Sequence, residues 1–406
     1  MKYIPLSKVY YIDKASWHDE YLQRFGSPSS VHLDIEAGGS TAFFVRSDEV
    51  LSLIADIYRL SSRIEKAGLR LPEAALRMYT RKCLIDEIVL TNNIEGVHSS
   101  RQEISSVLNR LYSQSKRKSR PRFSDMVNKY VLLSSLREIP LKTCVDIRNV
   151  YDELLGSEIM KEKSSLPDGK LFRKDAVTIY NSSGKAIHNG AVPEEKITDL
   201  LTKALVFLND TDIDGLIRIC VFHFLFESIH PFYDGNGRLG RFILSCGITE
   251  NVSPLIAFGL SCTIKENIRA YYRAFEICNN PKNLGDLTPF LITMLGFIKD
   301  TAGHLLDTLE TYSAQLKSYE SLIPGLPYSE KKNMTELYRI LIQAALFDET
   351  GASSSELQAA LNCSTKTLYN YLSLVREEKL LTEKTGSNFK YYSLDLGNLE
   401  YIAQDE

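Results

Sequence analysis

Apolar residues recur at helical spacing along most of the chain. Long segments of this kind run from Ser47 to Ala67 and from Pro72 to Ile94, while the stretch from Ile213 to Ile229 is largely apolar and free of proline. Apolar positions three to four residues apart are typical of amphipathic helices, and a helix that is apolar on all faces is typically buried. The pattern therefore predicts a mainly α-helical protein.

Two stretches break the helical pattern. Short β-prone runs at residues 177–180 and 186–190 flank a turn that contains Gly184, which predicts a β-hairpin. Nearer the N-terminus, Pro28 and Gly38-Gly39-Ser40 punctuate the chain, so loops are expected there before the first long helix.

The residues from 331 to about 396 have a different order of elements. Their periodicity predicts a helix, then a helix-turn-helix, then a β-hairpin that turns at Thr385-Gly386-Ser387. The predicted helices are Asn333–Leu346, Ser354–Leu361 and Ser364–Glu377, and the two β-prone runs are Leu380–Glu383 and Phe389–Ser393. This order of elements resembles that of a winged-helix domain.

Composition narrows the class of protein only slightly. The 406 residues are 44% hydrophobic and 24% charged, with a net charge of −3. These values are typical of a globular chain of two or three domains that has no global attraction to nucleic acid. The seven cysteines are scattered, which argues against a disulfide framework or a zinc site. No apolar stretch is long enough for a bilayer and no signal-peptide pattern is present, so a cytoplasmic protein without membrane contact is expected.

The densest group of polar side chains lies at residues 230–241, which read His-Pro-Phe-Tyr-Asp-Gly-Asn-Gly-Arg-Leu-Gly-Arg. Pro231 should end the preceding helix, because the residue before a proline is driven out of the helical region. A loop from Phe232 to Gly237 and a new helix from Arg238 should follow. Free N–H groups and the helix dipole then meet at the N-terminus of the new helix, which predicts an anion-binding site.

The residue types of this segment suit a metal-bound polyphosphate. Arg238 and Arg241 are three positions apart, so both can reach one chain of phosphates from the same helix face. Asp234 is a hard oxygen ligand for Mg²⁺, and His230 can accept a proton near neutral pH. Each residue alone is more often structural, as a packed histidine, a turn aspartate or a solvated arginine. Their combination in one short segment favours phosphate chemistry.

The segment resembles the signature of Fic-domain proteins, His-Pro-Phe-x-Asp-Gly-Asn-Gly-Arg-x-x-Arg, at every defined position. Most Fic enzymes transfer AMP from ATP to a Ser, Thr or Tyr hydroxyl of a target protein. The resemblance therefore implies a protein adenylyltransferase that uses ATP and Mg²⁺ and modifies a partner protein or itself, although transfer of UMP or phosphate stays open. The implied roles are His230 as general base, Asp234 as Mg²⁺ ligand, Asn236 with the backbone of Gly235 and Gly237 at the α-phosphate, Arg238 at the outer phosphates, and Arg241 at the γ-phosphate.

A second motif, Thr-Asn-Asn-Ile-Glu-Gly at residues 91–96, ends a predicted helix of about residues 80–96. Alone, it predicts a surface helix that Gly96 closes in a left-handed conformation. Beside the Fic signature it resembles the family's inhibitory motif, Ser/Thr-x-x-x-Glu-Gly/Asn. The resemblance implies that Glu95 pairs with Arg241, occupies the γ-phosphate site and keeps the enzyme weakly active. Some members use this glutamate to remove AMP, so a bifunctional enzyme is an alternative.

Two further places are identified through the resemblance. The hairpin at residues 177–190 corresponds to the flap that binds a target segment by strand addition, with Ile187 and His188 at the matching position. Tyr272 and Asn279 match a tyrosine and an asparagine that lie near the adenine and ribose. Without the resemblance, these features are typical of a surface hairpin and of tyrosines in a helix core.

These features divide the chain into an N-terminal region with the inhibitory helix (1–118), a Fic catalytic core (119–305), a linker (306–330) and a winged-helix domain (331–406). Winged helices often bind DNA, so the alternative function is a DNA-binding regulator with a dormant Fic site. Residues 331–406 hold eight Lys or Arg and eleven Asp or Glu. This balance disfavours contact with phosphates, so a protein-interaction role is preferred. Oligomerisation is left open.

Overall fold

The computed structural model describes residues 2–112, 121–160, 166–180, 186–348, 350–385 and 390–404. Within these residues the protein is mainly helical, with small antiparallel sheets, as the periodicity predicts. No helix of the described part is long and apolar enough to cross a bilayer. The chain divides into two compact units. The larger unit comprises Met1–Ser61, Asp86–Ser100 and Val107–Gly303, and the smaller comprises Ser62–Ile85, Arg101–Ser106 and His304–Glu406.

The elements are as follows in chain order. The helices up to residue 160 are α1 (Leu6–Ile12), α2 (Trp17–Phe25), α3 (Asp48–Gly68), α4 (Glu73–Ile94), α5 (Arg101–Tyr112), α6 (Ser124–Ser134) and α7 (Cys144–Ile159). The next helices are α8 (Glu194–Leu208), α9 (Gly215–Ile229), α10 (Asn236–Asn251), α11 (Pro254–Ala257), α12 (Leu260–Glu266), α13 (Ile268–Cys278) and α14 (Thr288–Leu322). The last helices are α15 (Met334–Phe347), α16 (Ser354–Leu361), α17 (Thr365–Glu377) and α18 (Leu396–Gln404). The strands are β1 (Ser30–Ala37), β2 (Ser40–Val45), β3 (Thr178–Tyr180), β4 (Ala186–Asn189), β5 (Ala352–Ser353), β6 (Leu381–Thr385) and β7 (Lys390–Leu394).

Helix α9 lies in the core of the larger unit. Its sequence is apolar on nearly every face, and 12 of its 15 residues are buried. Asp214 caps the helix by accepting hydrogen bonds from the backbone N–H groups of Leu216 and Ile217. Helices α8 and α10 pack against it. Because α9 is covered on all sides, its C-terminal end and the residues that follow it are held in a fixed place.

Helix α10 begins at Asn236, two residues earlier than the predicted start at Arg238. The Asn236 side chain explains the difference. Its Oδ1 accepts the backbone N–H of Phe232 at 2.9 Å, and its Nδ2 donates to the Phe232 carbonyl at 2.8 Å. These two bonds close the loop into a tight turn, so the helix starts inside the segment predicted as loop.

The chain does turn at Gly38-Gly39, as expected, but the strands on either side were not predicted: β1 and β2 form an antiparallel hairpin there. Gly38 and Gly39 form its turn with φ of 59° and 84°, the sign that tight hairpin turns require. From Leu33 to Ala37 the apolar residues are buried and the two acidic residues are exposed. This alternation of apolar and acidic residues in Leu-Asp-Ile-Glu-Ala is the sequence pattern that indicates a strand.

The hairpin predicted from residues 177–180 and 186–190 is present as β3 and β4, which pair antiparallel with Ile179 opposite His188. The backbone of Ile187 and His188 lies in β4, whereas their side chains and the turn at residues 181–185 lie outside the described residues. The described residues therefore include the two paired strands of the predicted hairpin, but not the side chains of Ile187 and His188 that the resemblance to the flap identifies.

In the smaller unit, α15, α16 and α17 begin and end within one residue of their predicted bounds. Strands β6 and β7 pair as the predicted hairpin. A third strand, β5, adds to β7 and gives the order β5-β7-β6, and α18 follows; neither was predicted. Tyr79, Tyr312 and Phe347 form an edge-to-face aromatic cluster in this unit. Helix α15 also packs against β7, so the core of the unit combines helical and sheet residues.

Candidate active site

The loop between α9 and α10 forms a candidate anion-binding site at the start of α10. Gly235 precedes the helix with φ of 82°, and a Cβ at this position would lie 2.5 Å from Leu155 Cδ1, so no other residue fits without movement. The first-turn N–H groups of Asn236, Gly237 and Arg238 have no acceptor one turn earlier. Since the Asn236 side chain is engaged in closing the loop, its contribution to anion binding is its backbone N–H.

The carboxylate of Glu95 lies in this anion site. Its Oε1 is 2.7 Å from Arg241 NH2. A Cβ on Gly237 would lie only 2.1 Å from the same Oε1, so the carboxylate sits directly against the first turn of α10. Gly96 follows with φ of 72° in the left-handed region. The structure therefore brings together the glutamate and the arginine that the two motifs single out.

The guanidinium of Arg241 is buried and held along one edge by the end of α4. The Arg241 side chain is 2% exposed, its Nε donates to Thr91 Oγ1 at 2.8 Å, and its NH2 donates to the Thr91 carbonyl at 3.1 Å. Burial by itself lowers the pKa of this guanidinium, but the charge and hydrogen bond of Glu95, together with the nearby Tyr271 and Glu227, raise the pKa of Arg241 above its usual value. The cation is permanent and needs an anionic partner, which is here Glu95.

The guanidinium of Arg238 has a different partner, Glu158 near the end of α7. Arg238 NH1 is 2.9 Å from Glu158 Oε2, and the two side chains are 3% and 13% exposed. Arg238 NH2 is turned toward Asp234, with 3.6 Å to Asp234 Oδ2. Sequence reasoning missed Glu158, because 80 residues separate it from Arg238 and no local motif marks it.

His230 is held in a conformation that few histidines adopt. It ends α9 with φ of 54° and ψ of 64°, and its N–H donates to the Phe226 carbonyl at 2.9 Å. Its Nδ1 lies 3.3 Å from the Glu227 carbonyl. A carbonyl oxygen only accepts hydrogen bonds, so Nδ1 is the donor in this contact and Nε2 is the ring nitrogen left to act as a general base when the ring is neutral.

A fully buried arginine, Arg173, holds the backbone around His230. Its Nε donates to the His230 carbonyl at 2.8 Å, and its backbone N–H donates to the Pro231 carbonyl at 3.2 Å. Its NH2 lies 3.5 Å from the Ile229 carbonyl. Burial lowers the pKa of this guanidinium. Sequence reasoning missed Arg173, which fixes His230 through backbone carbonyl groups from 57 positions away along the chain.

Asp234 suits a metal ion that arrives with a nucleotide. Its Oδ1 accepts the Gly235 N–H at 2.6 Å, and its side chain is 52% exposed. Among the residues that the structure describes, no three His, Cys, Asp or Glu side chains form a group that could hold a metal ion by themselves. Mg²⁺ commonly takes one or two carboxylates and completes its shell with phosphate oxygens and waters. The donor set therefore fits a nucleotide-bound Mg²⁺.

The two residues identified through the resemblance lie within α13 and directly after it. Burial raises the pKa of Tyr272 to about 12, and the charge of Glu95 adds to this shift. Asn279 follows the last residue of α13 and lines a cleft of about 710 Å³ together with Gly190 and Ile229. Ile229 directly precedes the histidine, whereas none of residues 230–241 lines this cleft.

Two buried carboxyl groups near Arg241 were not singled out in the sequence. Burial raises the pKa of Glu227 to about 8, and the nearby charge of Glu95 adds to the shift while Arg241 opposes it. Burial also raises the pKa of Glu87 to about 7, although it accepts hydrogen bonds from Ser261 N–H at 2.9 Å and Ser261 Oγ at 2.5 Å. Glu87 thereby attaches α4 to α12, two helical turns before Glu95.

Comparison with known proteins places this loop in a family. The profile of the Fic/DOC family matches residues 143–246. A 50-residue stretch is 48% identical to a "Probable protein adenylyltransferase" of Aquifex aeolicus and covers 12% of this chain and 16% of that protein. A 144-residue stretch is 26% identical to the protein adenylyltransferase fic-1 of Caenorhabditis briggsae and covers 35% of this chain and 26% of that protein. The chain thus spans about a quarter or less of the length of these curated relatives.

Among solved structures, a Fic family protein from Desulfovibrio desulfuricans resembles this chain with a TM-score of 0.52 and 21% identity. The superposition covers 86% of this chain and 96% of that one, and at this identity the likeness concerns the fold. The family match includes His230, the anion-binding loop and both arginines, whereas Glu95 lies outside it. The chain therefore carries a Fic domain that has protein adenylyltransferases among its homologues.

Proposed function

We propose that this protein transfers AMP from ATP to a Ser, Thr or Tyr hydroxyl of a target protein. The observation that carries the proposal is the position of His230 directly before a loop that leads into the N-terminus of α10 and its two buried arginines. Nucleotidyl transfer depends mainly on positioning the reactants and neutralising phosphate charge. A base next to an anion-binding helix N-terminus supplies both.

In the proposed reaction, His230 Nε2 takes the proton of the target hydroxyl while that oxygen forms a bond to the α-phosphorus. The bond from the α-phosphorus to the oxygen that bridges to the β-phosphate breaks, and pyrophosphate leaves with the electron pair. The backbone N–H groups of Asn236 and Gly237 hold the α-phosphate, since that of Gly235 donates to Asp234 Oδ1, and Arg238 and Arg241 hold the outer phosphates. Asp234 would hold Mg²⁺, which would neutralise part of the phosphate charge.

The same proposal makes Glu95 an intramolecular inhibitor. A carboxylate and a phosphate compete for the same face of a guanidinium. Glu95 engages Arg241 and also lies against the first turn of α10 at Gly237, so one carboxylate fills both halves of the anion site. The γ-phosphate reaches Arg241 only after Glu95 has moved. Glu95 is 32% exposed and follows the last helical residue of α4, which supports its displacement without unfolding of the helix.

The β3–β4 hairpin is the proposed docking site for the target. Strand β4 pairs with β3 on one edge, and backbone hydrogen bonds to an added strand need little sequence specificity. The hairpin is fastened near the site, because Gly190 N–H donates to Val177 and Ala191 N–H donates to the carbonyl of Ile229, which precedes the histidine. A bound strand would therefore present its hydroxyl next to His230.

The proposed role of residues 331–406 is recruitment of a partner protein by a winged-helix domain. Helices α16 and α17 are joined at Asn362, which has φ of 46°, and Ser364 caps α17 by accepting the Thr367 N–H. Strands β6 and β7 follow as the wing. The excess of acidic over basic residues in this segment opposes the phosphate contacts on which DNA binding depends.

The test compares four proteins in Mg²⁺: wild type, Glu95→Gly, His230→Ala and the double variant. Incorporation of label from α-labelled ATP, into the protein itself or into a lysate, is the readout. We expect strong labelling by Glu95→Gly, weak labelling by wild type and none by either His230 variant. Labelling that persists without His230 contradicts the proposed base. Loss of label from modified protein in the presence of wild type, but not of Glu95→Gly, would assign AMP removal to Glu95.

A further inference from the structure

Helix α7 lies beneath the anion-binding loop, and three residues along one of its faces contact the loop in succession. The Tyr151 ring stacks on Phe232 with ring centres 3.6 Å apart, and its hydroxyl donates to the Asp234 carbonyl at 3.1 Å. One turn later, Leu155 fills the space against Gly235. Glu158 follows at the next position of this row, since residues four and then three apart share a helix face. The row is apolar except at its end.

The carboxylate at the end of the row contacts the loop through an arginine. Glu158 is the penultimate residue of α7, where the helix dipole disfavours a negative charge. The charge is nonetheless 13% exposed and paired with Arg238, which is 3% exposed. Pairing with the guanidinium offsets both the dipole and the loss of water. The pair is therefore part of how the loop is built, and not a contact of solvated side chains.

The pair also sets the direction of the Arg238 guanidinium. Its NH1 is tied to Glu158, and its NH2 is turned toward Asp234. A guanidinium is a planar fork, so fixing one nitrogen fixes where the other points. In the proposed function, Asp234 marks the place of Mg²⁺ and the outer phosphates. The NH2 group of Arg238 can therefore contact the outer phosphates while its NH1 group remains paired with Glu158.

We propose that Glu158 is a positioning residue that holds Arg238 ready for the outer phosphates of the nucleotide. This inference rests on the proposed function and adds a residue to it. It assigns opposite roles to two buried carboxylates: Glu95 must leave its arginine before ATP binds, whereas Glu158 must remain on its own. Preorganisation of this kind raises affinity, because the side chain is not ordered at the moment of binding.

The test is nucleotide binding by a protein that cannot turn over. In a Glu95→Gly/His230→Ala background, calorimetry with Mg²⁺ measures the Kd for ATP, ADP and AMP. Glu158→Ala removes the contact, Glu158→Gln keeps an acceptor for NH1 without the charge, and Asp152→Asn is the matched control on α7. Asp152 is 47% exposed and pairs with Arg148 one turn away. Melting temperatures show whether each variant is folded, and Glu158→Gln carries the test if Glu158→Ala does not fold.

We expect Glu158→Ala to weaken ATP binding about tenfold, the equivalent of one charge-assisted hydrogen bond. AMP has no outer phosphates, so its Kd should be the same with and without Glu158. The loss of affinity should be intermediate for ADP binding to Glu158→Ala and for ATP binding to Glu158→Gln. Unchanged ATP affinity overturns the inference, as does an equal loss for AMP, which indicates a general structural role. Tighter ATP binding also overturns it, since Glu158 would then be a second competitor. If the background protein binds no nucleotide while folded, the proposed function fails and this inference falls with it.

Discussion

Arg238 and Arg241 lie on the same turn of α10, are both almost fully buried and are each paired with a carboxylate, yet the two pairs are built differently. Glu158 lies within α7, is 13% exposed and contacts NH1 of Arg238. Glu95 lies just after α4, is 32% exposed and contacts NH2 of Arg241 against the helix N-terminus. The first carboxylate leaves the anion site open, and the second fills it.

The difference shows that the burial of an ion pair does not by itself indicate which role the pair has in function. Both pairs offset the desolvation of an arginine, and the distances of 2.9 Å and 2.7 Å are nearly equal. What separates them is where the carboxylate lies relative to the free N–H groups of α10 and how easily its backbone can move. The predictions that follow test this contrast.

The largest effect is expected at Arg241 once Glu95 has been removed. In the Glu95→Gly background, Arg241→Ala should lower the initial rate of labelling from α-labelled ATP on the order of a hundredfold, because the γ-phosphate loses a buried charged donor. Arg241→Lys keeps the charge but not the fork and should lose less. If Glu95→Gly/Arg241→Ala labels as fast as Glu95→Gly, the contest between Glu95 and phosphate for Arg241 does not occur.

The next largest effect is expected at Arg173, a third buried guanidinium, which donates hydrogen bonds to the backbone carbonyl groups of Asp175, Ile229 and His230. Arg173→Lys in the Glu95→Gly background should lower kcat about tenfold, because an ammonium cannot reach the His230 and Ile229 carbonyls together. The KM for ATP should stay the same, since the phosphate ligands are untouched. A rise in KM with kcat unchanged would show that Arg173 supports the anion site and not the base.

A smaller effect is expected at Thr91, which shares Arg241 with Glu95. Thr91→Val in the otherwise wild-type protein should raise the labelling rate about fivefold, because Arg241 Nε loses its acceptor and the guanidinium is held less firmly toward Glu95. Thr91→Ser keeps the hydroxyl and is the control that should behave as wild type. Equal rates for all three proteins would mean that Glu95 alone sets the inhibited state.

The smallest effect concerns stability and pH. The folded-state pKa of Glu227 is about 8, raised from 4.5 by burial, so the folded protein binds this proton more tightly than the unfolded chain. Its contribution to stability is complete below pH 4.5 and is lost as the pH rises toward 8. Wild type should therefore lose unfolding free energy over this interval that Glu227→Gln does not lose.

Thermal melts of wild type and Glu227→Gln at several pH values measure this difference. Glu87 has a pKa raised to about 7 and shifts stability in the same direction, so some slope should remain in Glu227→Gln. Glu95 and Arg241 are the charges that act on Glu227, and the comparison should be repeated in Glu95→Gly. Parallel melting curves for wild type and Glu227→Gln would show that Glu227 is ionised in the folded protein throughout.

Several elements could be predicted because local patterns encode them. The helices α15 to α17 follow from periodicity alone and match to within one residue. The first turn of α10 does not, because its start depends on the two hydrogen bonds of Asn236 with Phe232. Strand β5 has two residues, too few for any periodicity, and exists because β7 offers it an edge. Helix and strand propensities describe single stretches of sequence, whereas the start of α10 and the existence of β5 depend on specific hydrogen bonds to other residues.

The sequence by itself determined the candidate active-site segment at residues 230–241, the motif ending at Gly96 that resembles an inhibitory motif, and the helical character of the chain, since each is encoded in neighbouring residues. Only the tertiary structure decided that Glu158 faces Arg238 and that Arg173 holds the backbone of His230. Those contacts join residues 80 and 57 positions apart. No local pattern specifies such pairs, because they form only after α7, α9 and α10 have packed and have excluded water from the charges between them.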